Sequence, residues 1–340
     1  MSHARHYLGL CAIAKDETPN LREWVAYHHA AGFERILIYD NGSAIPVRET
    51  LADMCESGIV ETLSIEGEHI QLVAYNHCLR NYGHEFVWLA FLDLDEFLLI
   101  HHEDDARIFC AGYEEYAGIS INWRNFGSSG HLKRPEGLVI ESYRECLGEF
   151  TSVKCIVKPS AVAMPLSPHH FIFTDGEFAV SPEKVKVDSG HAPPSTALAQ
   201  INHYTYRSQQ DFEAKVARGY AMPHTIDMTG FYAQAEQRGE IRTEILRHAA
   251  KTREIMRSGT FGPYIPVDSS LILEEPYPAA LARLAAAAEV GDIPLARLLF
   301  VCNRRRFAGK LAFCALGERV FGSGKSGKKS LKQNSHKRTK

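Results

Sequence analysis

Residues 86–100 read FVWLAFLDLDEFLLI. This is the longest apolar stretch of the chain, yet it carries three carboxylates, Asp93, Asp95 and Glu96, in its middle. Phe86 to Phe91 has the length and composition of a buried strand. The acids follow directly, so they are expected at the end of a strand and at the edge of a sheet. Residues two apart on a strand face the same side, so Asp93 and Asp95 are able to address one cation. Two carboxylates completed by phosphate oxygens and water suit Mg2+ or Mn2+. The plainer reading is a strand that ends in solvated acids.

The flanking segments alternate in type. Tyr7 to Ala14 is a short apolar run, and Leu21 to Ala31 has helical spacing, with Thr18-Pro19 as its expected cap and Gly32 as its stop. Arg35 to Tyr39 reads as a strand, Val47 to Glu56 as a helix, Ile59 to Ser64 as a strand and Gln71 to Tyr82 as a helix. This rhythm predicts β-α-β units and a mostly parallel sheet flanked by helices, an α/β fold. Such sheets bind ligands at the carboxyl ends of their strands. There the chain places Lys15-Asp16-Glu17, Asp40-Asn41 and Asp93-Leu94-Asp95.

The middle third is expected to hold shorter strands: Gly118 to Trp123, Leu138 to Tyr143, Val153 to Val157, Ala161 to Met164 and Phe178 to Val180. Residues 211–258 and 276–299 read as helical.

Composition is that of a globular protein, with 45% apolar and 23% charged residues in 340. That excludes collagen-like, disulfide-scaffold and fully disordered classes. The net charge of −3 hides an asymmetry: residues 322–340 hold seven Lys and Arg and no acid, leaving −10 for residues 1–321. No two of the eight cysteines lie within four residues of each other, which argues against zinc ribbons and redox pairs and suggests a reducing compartment. Neither a signal peptide nor a transmembrane run is expected. The expected location is the cytoplasm, with peripheral contact to the inner face of a membrane through residues 295–340, a basic and partly amphipathic stretch. A packed helix followed by a disordered tail explains the same residues. Gly322 to Lys329 nearly spells a P-loop, but Lys329 stands where Ser or Thr is needed and no strand precedes it.

An ordered set of motifs makes the chain resemble a GT-A glycosyltransferase, close to family 92 and the family 2-like enzymes. The set runs through Ala14-Lys15-Asp16-Glu17, Glu23 to His28, Ile38 to Ser43, Gln71 with Ala74 to Cys78, and Trp88 to Phe97. It continues through Asn122 to His131, Gly137 to Glu141, Lys154 to Pro159, His169 to Phe171, Asn202-His203-Tyr204, and Lys215 with Arg218-Gly219. Two positions depart from the pattern: Asp16 stands where Asn is usual, and Ala44-Ile45 where an acid often follows.

The resemblance implies a nucleotide-sugar donor, UDP-linked, a glycan or other hydroxyl acceptor, and inversion at the anomeric carbon. It implies Mn2+ or Mg2+ held by Asp93 and Asp95, with His203 completing the metal or diphosphate site. Lys15, Glu17, Asp40, Asn41 and Asn76 are the implied nucleotide contacts. For Asp40 a turn role is equally open, and Lys15 either meets a phosphate or balances its acidic neighbours. His169 and His170 are secondary candidates for diphosphate or acceptor contacts. Glu141 is the first choice as general base, with Asp175 and Glu149 as alternatives. Trp123 and Phe126 are candidate sugar platforms, and the loop 127–130 is a candidate cover for the donor.

The expected organisation is a catalytic domain over 1–220, divided into a nucleotide-binding half (1–100) and an acceptor half (101–220). A helical extension over 221–321 and a basic tail over 322–340 follow. Two other classes stay open at this point: a nucleotidyltransferase or other metal-dependent phosphoryl-transfer enzyme, and a non-catalytic glycan-binding protein.

Overall fold

The computed structural model describes residues 6–219 and 238–258, all within one compact unit. The expectations for residues 276–299, for the membrane-contact stretch 295–340, for the tail 322–340 and for most of the extension 221–321 lie outside the described residues.

The first half alternates as its sequence rhythm requires. Strand β1 (His6–Ala14) leads to helix α1 (Thr18–Ala30), and β2 (Arg35–Asp40) to the short helices α2 (Val47–Thr50) and α3 (Ala52–Glu56). Then come β3 (Val60–Ser64), α4 (Gln71–Asn81) and β4 (Phe86–Phe91). These strands lie in the spatial order β4-β1-β2-β3, all parallel. Five of the six β4 residues are buried, as a strand covered on both faces requires.

The middle of the chain completes the sheet. Strand β5 (Glu96–Ile100) precedes α5 (Ala106–Ala111), β6 (Gly118–Phe126), the single turn α6 (Val139–Ser142) and the long β7 (Glu145–Val157). Strands β8 (Val162–Ser167) and β9 (His170–Phe173) form a separate hairpin. Short strands β10 (Ala179–Val180) and β11 (Lys186–Val187) lie beyond β6, and β12 (Ala199–His203) follows them in sequence. Strand β7 runs antiparallel between β4 and β6, and β12 lies beside both β5 and the far half of β6. Helix α7 (Gln209–Arg218), strand β13 (Glu240–Ile241) and helix α8 (Ala249–Ser258) end the described chain. The fold is therefore mixed α/β, a central sheet flanked by helices.

Four local expectations are corrected. The helix expected over 47–56 is broken at Leu51. The cap of α1 is Glu17, without a side-chain bond, and Thr18 is already helical. Leu138 to Tyr143 is a helical turn rather than a strand, because the buried Glu23 carboxylate accepts the amides of Val139 and Ile140 and fixes a helix start. Finally, Asp93 and Asp95 do not lie on a strand. They lie in a tight turn between β4 and β5, in which the Glu96 amide donates to the Asp93 carbonyl and the Asp93 amide to Glu96 Oε2. The chain turns here because β5 leaves β4 to pair with β12.

Candidate active site

The loops after β1, β2 and β4 open at one edge, since the register sets Ala14 beside Asp40 and Cys11 beside Phe91. The β4–β5 turn is held from α1. Trp24 Nε1 donates to the carbonyls of Asp93 (3.1 Å) and Glu96 (2.8 Å), and the Tyr27 hydroxyl to that of Leu98 (2.7 Å). The motif Glu23 to His28 is thus a brace for the acidic turn.

Within the turn the two aspartates have different partners. Asp93 accepts from Gln71 Nε2 (2.6 Å) and Lys154 Nζ (2.8 Å), so both of its oxygens are engaged. Lys154 stands on β7 with a side chain 0% exposed, and Glu96 Oε2 lies 3.4 Å away on its other side. Burial alone would raise the Asp93 pKa, but the Lys154 charge outweighs it and lowers it. Burial pushes Glu96 well above the usual carboxyl range, and its Oε1 has no hydrogen-bond partner. Lys154 is held well above its usual value, because Asp93 and Glu96 outweigh burial.

Asp95 is buried. Its Oδ2 accepts from Lys215 Nζ of α7 (2.5 Å), and its Oδ1 lies 3.7 Å from His203 Nε2. Burial would raise this carboxyl too, yet the Lys215 charge, with Arg207 behind it, holds it well below the usual range. His203 reaches Asp95 because β12 pairs with β5 at His203 opposite Glu96, and with β6 at His203 opposite Asn125. Its Nδ1 meets Asn125 Oδ1 at 3.1 Å, which places the ring proton on Nδ1, and its ring packs 4.2 Å from that of Trp123. Burial lowers the His203 pKa.

With the ring proton on Nδ1, the Nε2 lone pair is turned toward a carboxylate oxygen at 3.7 Å, too long for a hydrogen bond. Two acceptors facing each other across such a gap make a place for a cation, and imidazole plus carboxylate suits a divalent one. Asp95 and His203 thus fit a divalent ion. Among the described residues no cluster of three His, Cys, Asp or Glu side chains forms a ready-made cage, and Asp93 is turned to Lys154 instead. The expected three-ligand set of Asp93, Asp95 and His203 is not assembled.

A second ionic cluster adjoins. Glu17 accepts from Asn20 Nδ2 (2.9 Å), Arg207 Nη1 (3.2 Å) and Arg218. Burial would raise its pKa, but Arg207 and Arg218 bring it below the usual value. Its carboxylate is spent on arginines rather than open to a base or ribose.

The other implied contacts have local partners. Asp40 accepts the amides of Ser43 and Val47, both at 2.9 Å, which is the turn role. Asn41 exchanges two hydrogen bonds with the Gly67 backbone and ties the β2 and β3 loops together. Lys15 is exposed and Asn76 is half-buried on α4.

His169 lies by Trp123, ring centroids 5.0 Å apart, and donates through Nδ1 to the Val153 carbonyl. Burial and Lys154 lower its pKa to about 4. His170 begins β9, half-buried. Phe126 is a core residue against Tyr204, so only Trp123 of the two expected platforms stands beside the site. The loop 127–130 is tied down: Ser129 Oγ accepts the amides of Arg144 and Glu145. Glu141 pairs through both oxygens with Arg253 of α8, and no described contact joins it to Asp95. Glu149 is held by Arg124 and Thr196, and Asp175 lies in the turn after β9 with a φ of 54°.

Sequence reasoning assigned no role to Lys154, Lys215 or Arg207. Lys154 had a signal, a lone cation inside the apolar run Val153 to Val157. Arg207 had none.

Residues 8–241 match the profile described as Glycosyltransferase family 92. A glycosyltransferase family 92 protein of Ricinus communis is 28% identical over 231 residues, covering 64% of this chain and 38% of the relative. A galactan beta-1,4-galactosyltransferase of Arabidopsis thaliana is 28% identical over 125 residues, 34% of this chain and 24% of that protein. Among solved structures, S. aureus TarS 1-349 in complex with UDP aligns at 10% identity, TM-score 0.34, over 46% of this chain and 47% of that one. The chain spans under two-fifths of the length of the first curated relatives it matches.

Proposed function

The chain belongs to glycosyltransferase family 92, and on that premise we propose that it transfers a sugar from a UDP-linked donor to a glycan or other hydroxyl acceptor, with inversion and with a divalent ion at Asp95 and His203. The observation that carries this reading is the pair of facing acceptors, Asp95 Oδ1 and His203 Nε2, at a strand-end edge lined by Lys215, Arg207 and Arg218. A donor diphosphate is anionic and its leaving group gains charge as the sugar departs, so cations at this edge favour the transition state.

When bound, Mn2+ or Mg2+ would act as a Lewis acid on that diphosphate and orient it. The chain's own residues do the rest. Asn125 fixes the His203 tautomer, as outer partners of metal-ligating histidines do. Trp24 and Tyr27 hold the backbone of the acidic turn. Lys154 pairs with Asp93 from β7, while Lys215 and His203 flank the buried Asp95. Lys15 and Asn41 directly follow β1 and β2, where the nucleotide is proposed to bind, and Asn76 lies midway along α4. Peripheral membrane contact through residues 295–340 is proposed on charge alone. No helix among the described residues is long and apolar enough to cross a membrane.

The test is a donor panel of UDP-, GDP- and CMP-sugars with Mn2+, reading the nucleotide released. UDP-galactose comes first, given the galactosyltransferase relative. We expect UDP release with wild type and none with folded Asp95→Asn or after EDTA. Undiminished transfer by folded D95N, or transfer indifferent to EDTA, sinks the metal role. Release of pyrophosphate from a nucleoside triphosphate moves the protein to the nucleotidyltransferases. Sugar binding without any donor turnover makes it a lectin-like relic of the fold.

A further inference from the structure

Two lysines neutralise the two aspartates of the acidic turn, and they are built differently. Lys154 is on a central strand, wholly buried, and clasped between Asp93 and Glu96. It has nowhere to go. Lys215 is on a helix, its side chain 14% exposed, and it holds Asp95 Oδ2 at 2.5 Å, with Thr205 Oγ1 at 3.1 Å as a second partner. Its four-carbon stem can swing without moving the helix.

We infer that Lys215 is an exchangeable counter-ion. It occupies Asp95 in the free protein, yields that carboxylate to a divalent cation when the nucleoside diphosphate arrives, and moves onto the diphosphate itself. The inference rests on the proposed ion site at Asp95 and His203. Its physical basis is charge balance. An ammonium touching Asp95 repels a second cation at the same carboxylate, so the ion alone must compete with Lys215. The diphosphate removes the conflict, because its oxygens give the displaced ammonium a new partner beside Arg207 and Arg218. Ion and nucleotide must then bind with positive coupling, each raising the other's affinity by one factor.

The experiment uses the full chain and two probes, MnCl2 alone and UDP at saturating Mn2+, by calorimetry on wild type, Lys215→Met and Asp95→Asn. Without nucleotide, K215M should bind Mn2+ about tenfold tighter than wild type, within the usual span of such couplings. With Mn2+ present, it should bind UDP about tenfold weaker. Lys215→Gln repeats both arms with the same expectation, should the methionine variant not fold. If the Mn2+ affinity of K215M equals or falls below that of wild type while D95N abolishes binding, the ion site stands and the exchange is wrong. If D95N binds Mn2+ as wild type does, the ion lies elsewhere and both readings fall.

Discussion

Lys154 shows how much one buried charge decides at this site. With Asp93 at 2.8 Å on one side of it and Glu96 at 3.4 Å on the other, the lysine is enclosed by carboxyls inside the sheet. Removing the lysine leaves Asp93 without its main partner, and Asp93 is only 33% exposed. Lys154→Met should therefore cost ~2–4 kcal/mol of stability, somewhat under the range for breaking fully buried pairs. Glu96→Gln keeps the shape of a neutral acid and should stay within about 1 kcal/mol of wild type, the scale of one hydrogen bond. Urea unfolding of the two variants checks both. A large loss in E96Q would mean that Glu96 is ionised in the folded protein.

At the scale of elements, α1, α6 and α8 meet through carboxylates. Glu23 of α1 caps α6, and burial, opposed by the Val139 and Ile140 amides, raises its pKa from 4.5 to about 7. The folded protein therefore holds this proton more tightly than the unfolded chain. The stabilisation is complete below pH 4.5 and is lost as pH rises through 7. Thermal melts of wild type and Glu23→Gln at pH 5.5 and 8 should show wild type losing more on going to pH 8. Equal shifts in the two would remove Glu23 as the cause. Glu141 of α6 grips Arg253 of α8 through a partly exposed pair, so Glu141→Gln should cost no more than ~1 kcal/mol. If anchoring is its whole role, kcat is unchanged. A collapse of kcat in folded E141Q would instead restore it as the base.

At the scale of the molecule, the charges fall into matched clusters. Asp93, Asp95, Glu17 and Asp211 are all held below their usual pKa values by buried or half-buried cations that outweigh burial. Each contributes stability that is present above the ordinary carboxylate range, about pH 4, and is lost as pH falls below it. Urea midpoints should accordingly drop steeply between pH 5 and 3. A flat profile there would mean these pairs contribute little. Residues 322–340 lie outside both the described chain and the matched span 8–241. We expect their removal to leave turnover of a soluble acceptor intact and to weaken binding to anionic vesicles.

Local sequence pattern is enough to set the β-α-β half and its acidic edge. Strand and helix periods are local, and the runs Tyr7 to Ala14, Arg35 to Tyr39 and Phe86 to Phe91 declare themselves within a few residues. It also marked His203, through its place in an ordered set of motifs. Tertiary structure alone decided what those residues do. Asp93 meets a lysine 61 positions away, Asp95 one 120 away, and Glu17 an arginine 190 away. No local pattern encodes such pairs. They exist because β5, β6, β7 and β12 interleave out of sequence order, and because burial makes every charge find a partner. That is why Asp93 pairs with a lysine of β7, and Asp95 with one of α7 beside His203.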